Sequence, residues 1–125
     1  MSTANDIELV RRFMMAWNAH DVDAIMAMLS PDIFYHNIPM EPICGTAAVR
    51  ATVERVCASA SEIDWIVTHI AATGDGTVLT ERIDNFTMAG RPVSVPVMGA
   101  FRCEGGTIAE WRDYFDLDTY RRQLP

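Results

Sequence analysis

The chain has 125 residues, of which 50% are hydrophobic and 22% are charged. This length and composition predict one domain over residues 1–125, with a hydrophobic core of ordinary size. The net charge of −7 excludes nucleic acid as an expected partner, because phosphate binding requires a basic face.

Two helices are predicted at the start of the chain. Apolar residues recur at helical spacing over residues 6–19, behind an Asn5–Glu8 pair that resembles a capping box. Asp21 is a typical N-cap for a second, short helix, and Pro31 is expected to end it.

The next segment is predicted to be a strand, a loop and a third helix. Residues 33–37 have the character of a short strand, and the two prolines of residues 39–45 indicate a loop. Thr46 is expected to cap a helix that ends near residues 59–61.

The second half of the chain is predicted to be mainly β-structure. Tight turns rich in glycine separate four strands, at residues 63–72, 77–88, 91–104 and 107–115. Pro92 and Pro96 indicate an edge, a bulge or a bend in the third of them. Asp116 or Asp118 could cap a last helix that includes Tyr120.

Helices that precede a mostly antiparallel sheet predict an α+β fold. We expect a curved sheet that the N-terminal helices close into a cone with an internal pocket.

The cysteines and the chain's hydropathy predict a cytoplasmic protein. Cys44, Cys57 and Cys103 form neither a disulfide framework nor a C-x-x-C pair, which fits a reducing compartment. Residues 1–6 do not resemble the start of a signal peptide, and no apolar stretch approaches membrane length. Neither a signal peptide nor a membrane partner is therefore expected.

Arg82 and Asp84 are two residues apart on a predicted strand, so their side chains should point to one face. Asp113 shares a face of the last predicted strand with Trp111 and Phe115, so it should also lie in apolar surroundings. One cation between two buried carboxylates favours a state in which one acid is protonated and the other ionised. That state suits general acid–base catalysis, although a structural salt-bridge network is an equally good interpretation.

Tyr35 and Asn37 share a face of the first predicted strand and could together hold a water molecule. Without further context, a packed tyrosine is the simpler interpretation. His20, His36 and His69 are interpreted as structural or surface residues. No motif suggests a metal ion or a cofactor, so neither is expected.

Three stretches of the sequence together match a known family. They are Tyr35-His-Asn37-Ile-Pro39 with Gly45, Glu81-Arg82-Ile-Asp84, and Gly106-Thr-Ile-Ala-Glu-Trp111-Arg-Asp113-Tyr-Phe115-Asp116. With them the chain resembles the limonene epoxide hydrolase family, which has the cone-shaped fold of nuclear transport factor, ketosteroid isomerase and polyketide cyclases.

The resemblance implies one-step hydrolysis of an epoxide to a vicinal diol. Asp113, Tyr35 and Asn37 would hold and deprotonate the water, and protonated Asp84 would donate to the epoxide oxygen. Arg82 would bridge the two aspartates. The alternatives are an isomerase or cyclase of the same fold, and a binding module without catalytic activity.

The substrate is expected to be a small cyclic or aliphatic epoxide. Val95, Val97 and Phe101 share one strand face, while Phe86 and Phe115 flank the acids, so the pocket should be apolar. The predicted pocket residues are Met14, Phe86, Val95, Val97, Trp111, Phe115 and Tyr120.

A homodimer is also predicted. Leu79 and Ile83 lie on the face of the sheet opposite the pocket, and this half-apolar face, together with the resemblance, favours burial against a second subunit.

Overall fold

Within residues 2–125, which the computed structural model describes, the chain forms four helices and six strands. The helices are α1 (Thr3–Asn18), α2 (Val22–Ala27), α3 (Thr46–Ser59) and α4 (Leu117–Arg121). The strands are β1 (Leu29–Asn37), β2 (Ile43–Cys44), β3 (Ala60–Ala72), β4 (Thr77–Met88), β5 (Arg91–Glu104) and β6 (Thr107–Tyr114). Met1, part of the predicted domain, lies outside the described residues.

The six strands form one mixed sheet in the order β2-β1-β6-β5-β4-β3. Only β1 and β6 are parallel neighbours, and the other pairs are antiparallel. The sheet is not closed into a barrel. The predicted α+β cone is therefore confirmed. That the chain forms one domain stays a prediction.

The first two helices begin at polar caps, one of which differs from the prediction. Ser2 caps α1, because its Oγ accepts a hydrogen bond from the Asn5 backbone N–H at 3.1 Å. The predicted Asn5–Glu8 capping box is wrong, since Asn5 already lies in the first helical turn. Asp21 caps α2 as predicted, and its carboxylate accepts from the Ala24 N–H at 3.1 Å.

Pro31 lies inside β1 and does not end α2, contrary to the prediction. The helix ends at Ala27, and Leu29 already pairs with Ile108 of β6. The register then shifts before Phe34. A proline is tolerated at such an irregularity, because no regular ladder needs its missing N–H there.

The prediction that Thr46 caps α3 is also wrong. Gly45 is the N-cap, with φ +84°, and it offers no side chain for capping. The Thr46 hydroxyl instead donates to the Pro31 carbonyl at 3.1 Å. The loop predicted over residues 39–45 contains the short strand β2, which pairs with β1.

The β5 strand is locally an edge, as its two prolines indicate. Only its second half, from Met98 onward, pairs with β6. Pro92 and Pro96 lie in the first half, which pairs with β4 alone. The Gln123 side chain takes the place of a strand there and hydrogen-bonds both the N–H and the carbonyl of Ser94 at 2.9 Å.

The main core lies between the helices and the inner face of the sheet. Phe13 of α1 packs edge-on against Trp111 of β6, with ring centroids 4.9 Å apart. Trp17 stacks on Trp65 of β3 at 4.7 Å. None of the helices within residues 2–125 has the length and apolar character needed to cross a membrane.

Candidate active site

Strand pairing brings four polar or small residues into one row across the sheet. Asn37 of β1 is the register partner of Asp113 of β6. Asp113 is the partner of Gly99 of β5, and Gly99 is the partner of Thr80 of β4. Residues from four strands, far apart in the sequence, therefore meet on one face.

Arg82 reaches across this row and binds both aspartates. Its Nε and Nη2 donate to Asp84 at 3.0 and 2.8 Å, and its Nη1 and Nη2 donate to Asp113 at 3.0 and 2.9 Å. Its Nη1 also donates to the Thr80 hydroxyl at 3.1 Å. All five guanidinium N–H donors are thus engaged, and the side chain is fully buried.

Gly99 leaves the space that the guanidinium occupies. A Cβ at this position would lie 2.5 Å from Arg82 Nη1 and 2.9 Å from Asp113 Oδ1. The sequence analysis missed this residue. A glycine inside a strand was the available signal, because it often marks a close approach of other groups to the backbone.

Trp111 supports the site from behind and is not part of the cavity wall, so the prediction that it lines the pocket is wrong. Its ring is fully buried and stacks on the Tyr35 ring at 4.1 Å. Its indole N–H donates to Asp113 Oδ1 at 2.9 Å. Trp111 therefore orients Tyr35 and Asp113 together.

Tyr35 and Asn37 lie beside each other, as their spacing predicts. The Asn37 amide donates to the Tyr35 hydroxyl at 3.0 Å. Burial, and then the negative charge of Asp113, raise the pKa of Tyr35. The phenol therefore keeps its proton, and its hydroxyl can donate to a further group in the cavity.

Burial makes one of the two carboxyl groups easier to protonate. Burial raises the pKa of Asp84 to about 6; Arg82 opposes this effect, and the charge of Asp113 adds to it. Asp113 accepts three hydrogen bonds, two from Arg82 and one from Trp111. The raised pKa makes Asp84 the candidate for the carboxyl group that holds a proton.

A cavity of about 640 Å³ lies in front of this cluster, a size typical of small-molecule sites. Asp84, Asp113, Tyr35 and Asn37 all line it, whereas Arg82 lies behind them. The predicted residues that also line it are Phe86, Val95, Val97, Phe115 and Tyr120.

Met14 and Phe101 do not line the cavity, contrary to the prediction. Both are buried in the main core, between the helices and the inner face of the sheet. They share a strand or helix face with true lining residues, and alternation alone cannot tell how far along that face the cavity extends.

Helix α3 contributes a wall of the cavity that the sequence patterns did not predict. Thr52, Arg55, Val56 and Ser59 line the cavity, and they lie on one helix face because they are spaced three and four residues apart. Apolar periodicity selects the residues that face the core, so it gave no weight to the polar members of this set.

The histidines lie outside this cluster, as predicted. His20 and His36 contact backbone carbonyls of Ala60 and Met40, and His69 contacts Glu81. No group of three or more potential metal ligands occurs within residues 2–125.

Comparison with known proteins agrees with this geometry. Residues 4–125 match the family described as the limonene-1,2-epoxide hydrolase catalytic domain. The chain belongs to this family. The prediction of an epoxide hydrolase of the limonene epoxide hydrolase family is thereby confirmed at the level of family and enzyme class.

Relatives of the family share both sequence and fold with the chain. Epoxide hydrolase EphG of Mycobacterium tuberculosis is 33% identical over 108 residues, which are 86% of this chain and 71% of EphG. A solved structure of an M. tuberculosis epoxide hydrolase like those of this family has a TM-score of 0.87 and 30% identity. The match covers 98% of this chain and 90% of that one.

A more distant structure shows that the fold is wider than the family. A protein from Catenulispora acidiphila with a ketosteroid isomerase-like fold, solved with trimethylamine, has a TM-score of 0.83. It is 23% identical, and the match covers 94% of each chain.

Proposed function

We propose that this protein adds water to a small apolar epoxide in one step, giving a vicinal diol without a covalent intermediate. The observation that carries the proposal is the buried Asp113–Arg82–Asp84 cluster, which presents two carboxyl groups to one cavity, with the pKa of Asp84 raised by burial. General acid–base catalysis requires one acid to hold a proton while the other is ready to take one.

In this mechanism Asp113 is the base. A water molecule accepts a hydrogen bond from Tyr35, contacts Asn37 and donates to the Asp113 carboxylate. As the water oxygen attacks an epoxide carbon, its proton passes to Asp113. The position of Asn37 beside Asp113 in the β1–β6 register supports this assignment.

Asp84 is the acid. The carbon–oxygen bond of the ring breaks as the ring oxygen takes the proton from Asp84, so both hydroxyl groups of the diol form in one event. Asp113 then holds a proton and Asp84 is ionised. Proton exchange with water resets the pair, and Arg82 keeps both carboxyl groups in position throughout.

The cavity favours an apolar substrate. Phe86 and Phe115 flank the acids, and Val95 and Val97 form an apolar strand face beside them. A small cyclic or aliphatic epoxide would bury its hydrocarbon part against these residues.

An assay of diol formation on a panel of epoxides tests the proposal. The wild-type protein should turn over at least one apolar epoxide, and Asp113→Asn should lower the rate by at least the ~10²–10⁴-fold that acid–base catalysis contributes. A ketosteroid isomerase-like reaction needs a base and an oxyanion hole but no held water. Isomerisation of a carbon acid without diol formation would therefore favour that alternative.

We also propose that the protein is a homodimer formed through the outer face of the sheet. Large apolar side chains on this face are 40–49% exposed: Ile66, Leu79, Met98 and Tyr114. Ile83 lies among them, opposite Ile66 and Pro96 in the register. Glu81 is the register partner of Met98, so the face is half apolar and half charged. A half-apolar face on the central strands of a sheet favours burial against an identical subunit.

Light scattering tests the dimer. The wild-type protein should have twice the 14.0 kDa mass of one chain, and Met98→Arg should shift it toward the monomer. Met15→Arg is the matched control, because Met15 is 67% exposed on α1, away from this face. A monomeric wild type at micromolar concentration would contradict the proposal.

The cytoplasmic location stays a prediction.

A further inference from the structure

One charged residue of the cavity wall has no role in the mechanism. Arg55 of α3 is the only basic residue among the described residues that line the cavity. No carboxylate of residues 2–125 lies within salt-bridge distance of it. Arg50, one turn earlier on the same helix, is by contrast paired with Asp23 at 2.9 Å.

The surroundings of Arg55 are also polar and unpaired. Ser59 lies one helical turn further along the same face of α3 and is exposed. Tyr120 lies on the wall formed by α4. Within the described chain, neither hydroxyl has a hydrogen-bond partner in the structure. Three side chains able to donate to an anion therefore lie in the cavity wall in addition to the polar cluster around Asp84 and Asp113.

Arg55 forms no ion pair with the catalytic acids, both of which are paired with Arg82. The charge of Arg55 lowers the pKa of Tyr120, against the larger effect of burial, which raises it. Apolar side chains, among them Val56 and Phe115, also line the cavity.

We propose that Arg55, with Ser59 and Tyr120, selects epoxides that carry a carboxylate at the far end of an apolar chain. The proposal rests on the proposed epoxide hydrolysis and specifies its substrate class. The epoxide binds at Asp84 and Asp113, the hydrocarbon chain binds along the apolar walls, and the carboxylate binds to the guanidinium. An arginine suits this task because its planar fork matches both oxygens of a carboxylate.

The substrate arm of the test compares straight-chain acids that carry a terminal epoxide with their methyl esters. The ester has the same chain, but a neutral methyl ester replaces the carboxylate, so the ratio of their kcat/KM values reports chiefly the contribution of the charge. The acid should be preferred, and the preference should be greatest at the chain length that spans the two ends of the cavity. It should weaken as salt concentration rises, because the site is partly exposed.

Variants of Arg55 should change this ratio. Arg55→Gln should lower it by roughly five- to tenfold, between the effect of an exposed ion pair and that of a buried charged hydrogen bond. Arg55→Lys should retain part of the preference, and Arg55→Glu should favour the ester. Arg50→Gln removes the same charge from the same helix outside the cavity, so it should leave the ratio unchanged.

The binding arm does not depend on catalysis. Calorimetry should show that decanoate binds more tightly than decanol, and that Arg55→Gln removes the difference. If no epoxide is hydrolysed but this difference is found, the proposed function fails while the anion site stands. If decanoate and decanol bind alike, or if Arg50→Gln changes the acid-to-ester ratio as much as Arg55→Gln, the anion site is overturned.

Discussion

At the scale of single residues, the site depends on one guanidinium that satisfies two carboxyl groups. Two ionised aspartates around a single buried arginine would leave a net negative charge in the core, which is costly. One bound proton removes that cost, and the raised pKa of Asp84 makes this aspartate the place for it. In the proposed mechanism the same proton passes to the epoxide oxygen.

We expect Arg82→Lys to lower both the activity and the melting temperature. Lysine keeps the charge but has three donors, whereas Arg82 makes five hydrogen bonds to three side chains. Arg102→Lys is the control, because Arg102 makes exposed ion pairs with Glu104 and Glu110 that contribute little. Full activity and an unchanged melting temperature in Arg82→Lys would contradict the bridging role.

Gly99→Ala should lower kcat by about a hundredfold, the typical cost of a misplacement of about 1 Å at a catalytic group. The added methyl group would displace the Arg82 guanidinium and the Asp113 carboxylate. Gly74→Ala is the control: its φ of +90° makes it costly to stability, but nothing lies within 4 Å of the added Cβ. Steady-state kinetics and thermal melting together should show activity lost in the first variant and only stability lost in the second.

The pH dependence follows from the raised pKa of Asp84. Since the proposed acid must be protonated, kcat/KM should fall as the pH rises through about 6, the raised pKa of Asp84. The folded state also binds this proton more tightly than the unfolded chain does. Its contribution to stability is therefore full below the ordinary pKa of an aspartate and lost as the pH rises to about 6.

Urea unfolding checks the stability part of this prediction. The wild type should lose stability between about pH 4 and pH 6 relative to Asp84→Asn, which has no proton to release at this position. A pH–rate profile that stays flat from pH 5 to about pH 8 would contradict the assignment of Asp84 as the acid.

At the scale of elements, strand alternation explains why much of the site could be predicted. Two-residue spacing places Arg82 with Asp84, and Tyr35 with Asn37, whatever the tertiary structure. The parallel pairing of β1 with β6 could not be predicted in this way. It depends on the packing of the whole sheet, and it is what places Asn37 beside Asp113.

The helix caps and the cavity wall show the limit of local patterns. Ser2 and Asn5 are both good N-caps, and only the tertiary position of α1 decides between them. Arg55 is a polar residue on an exposed part of α3, so periodicity alone could not distinguish it from a solvent-facing side chain.

The C-terminal segment forms one wall of the cavity, and we expect Gln123→Ala to loosen it. Gln123 follows α4, and its side chain hydrogen-bonds Ser94 in the half of β5 that does not pair with β6. Because Tyr120 and Leu124 line the cavity, KM should rise several-fold while kcat changes less. Hydrogen exchange at the Ser94 amide should also become faster, and unchanged exchange and KM would contradict this role.

At the scale of the whole molecule, the inner face of the sheet serves two purposes. One part packs against α1 to form the main core, and the other part lines the cavity with a second apolar cluster around Val93, Val95 and Val97. Phe86 packs against both clusters. The row of polar residues at the candidate site therefore lies between the main core on one side and the cavity on the other.

The origin of the new hydroxyl oxygen tests the central claim, direct attack by a held water. A single turnover in water enriched in heavy oxygen should label the diol and leave Asp84 and Asp113 unlabelled. Tyr35→Phe and Asn37→Ala should each slow this turnover without changing the source of the oxygen. An unlabelled diol from the first turnover, with heavy oxygen in either aspartate, would show a covalent ester intermediate and contradict the account.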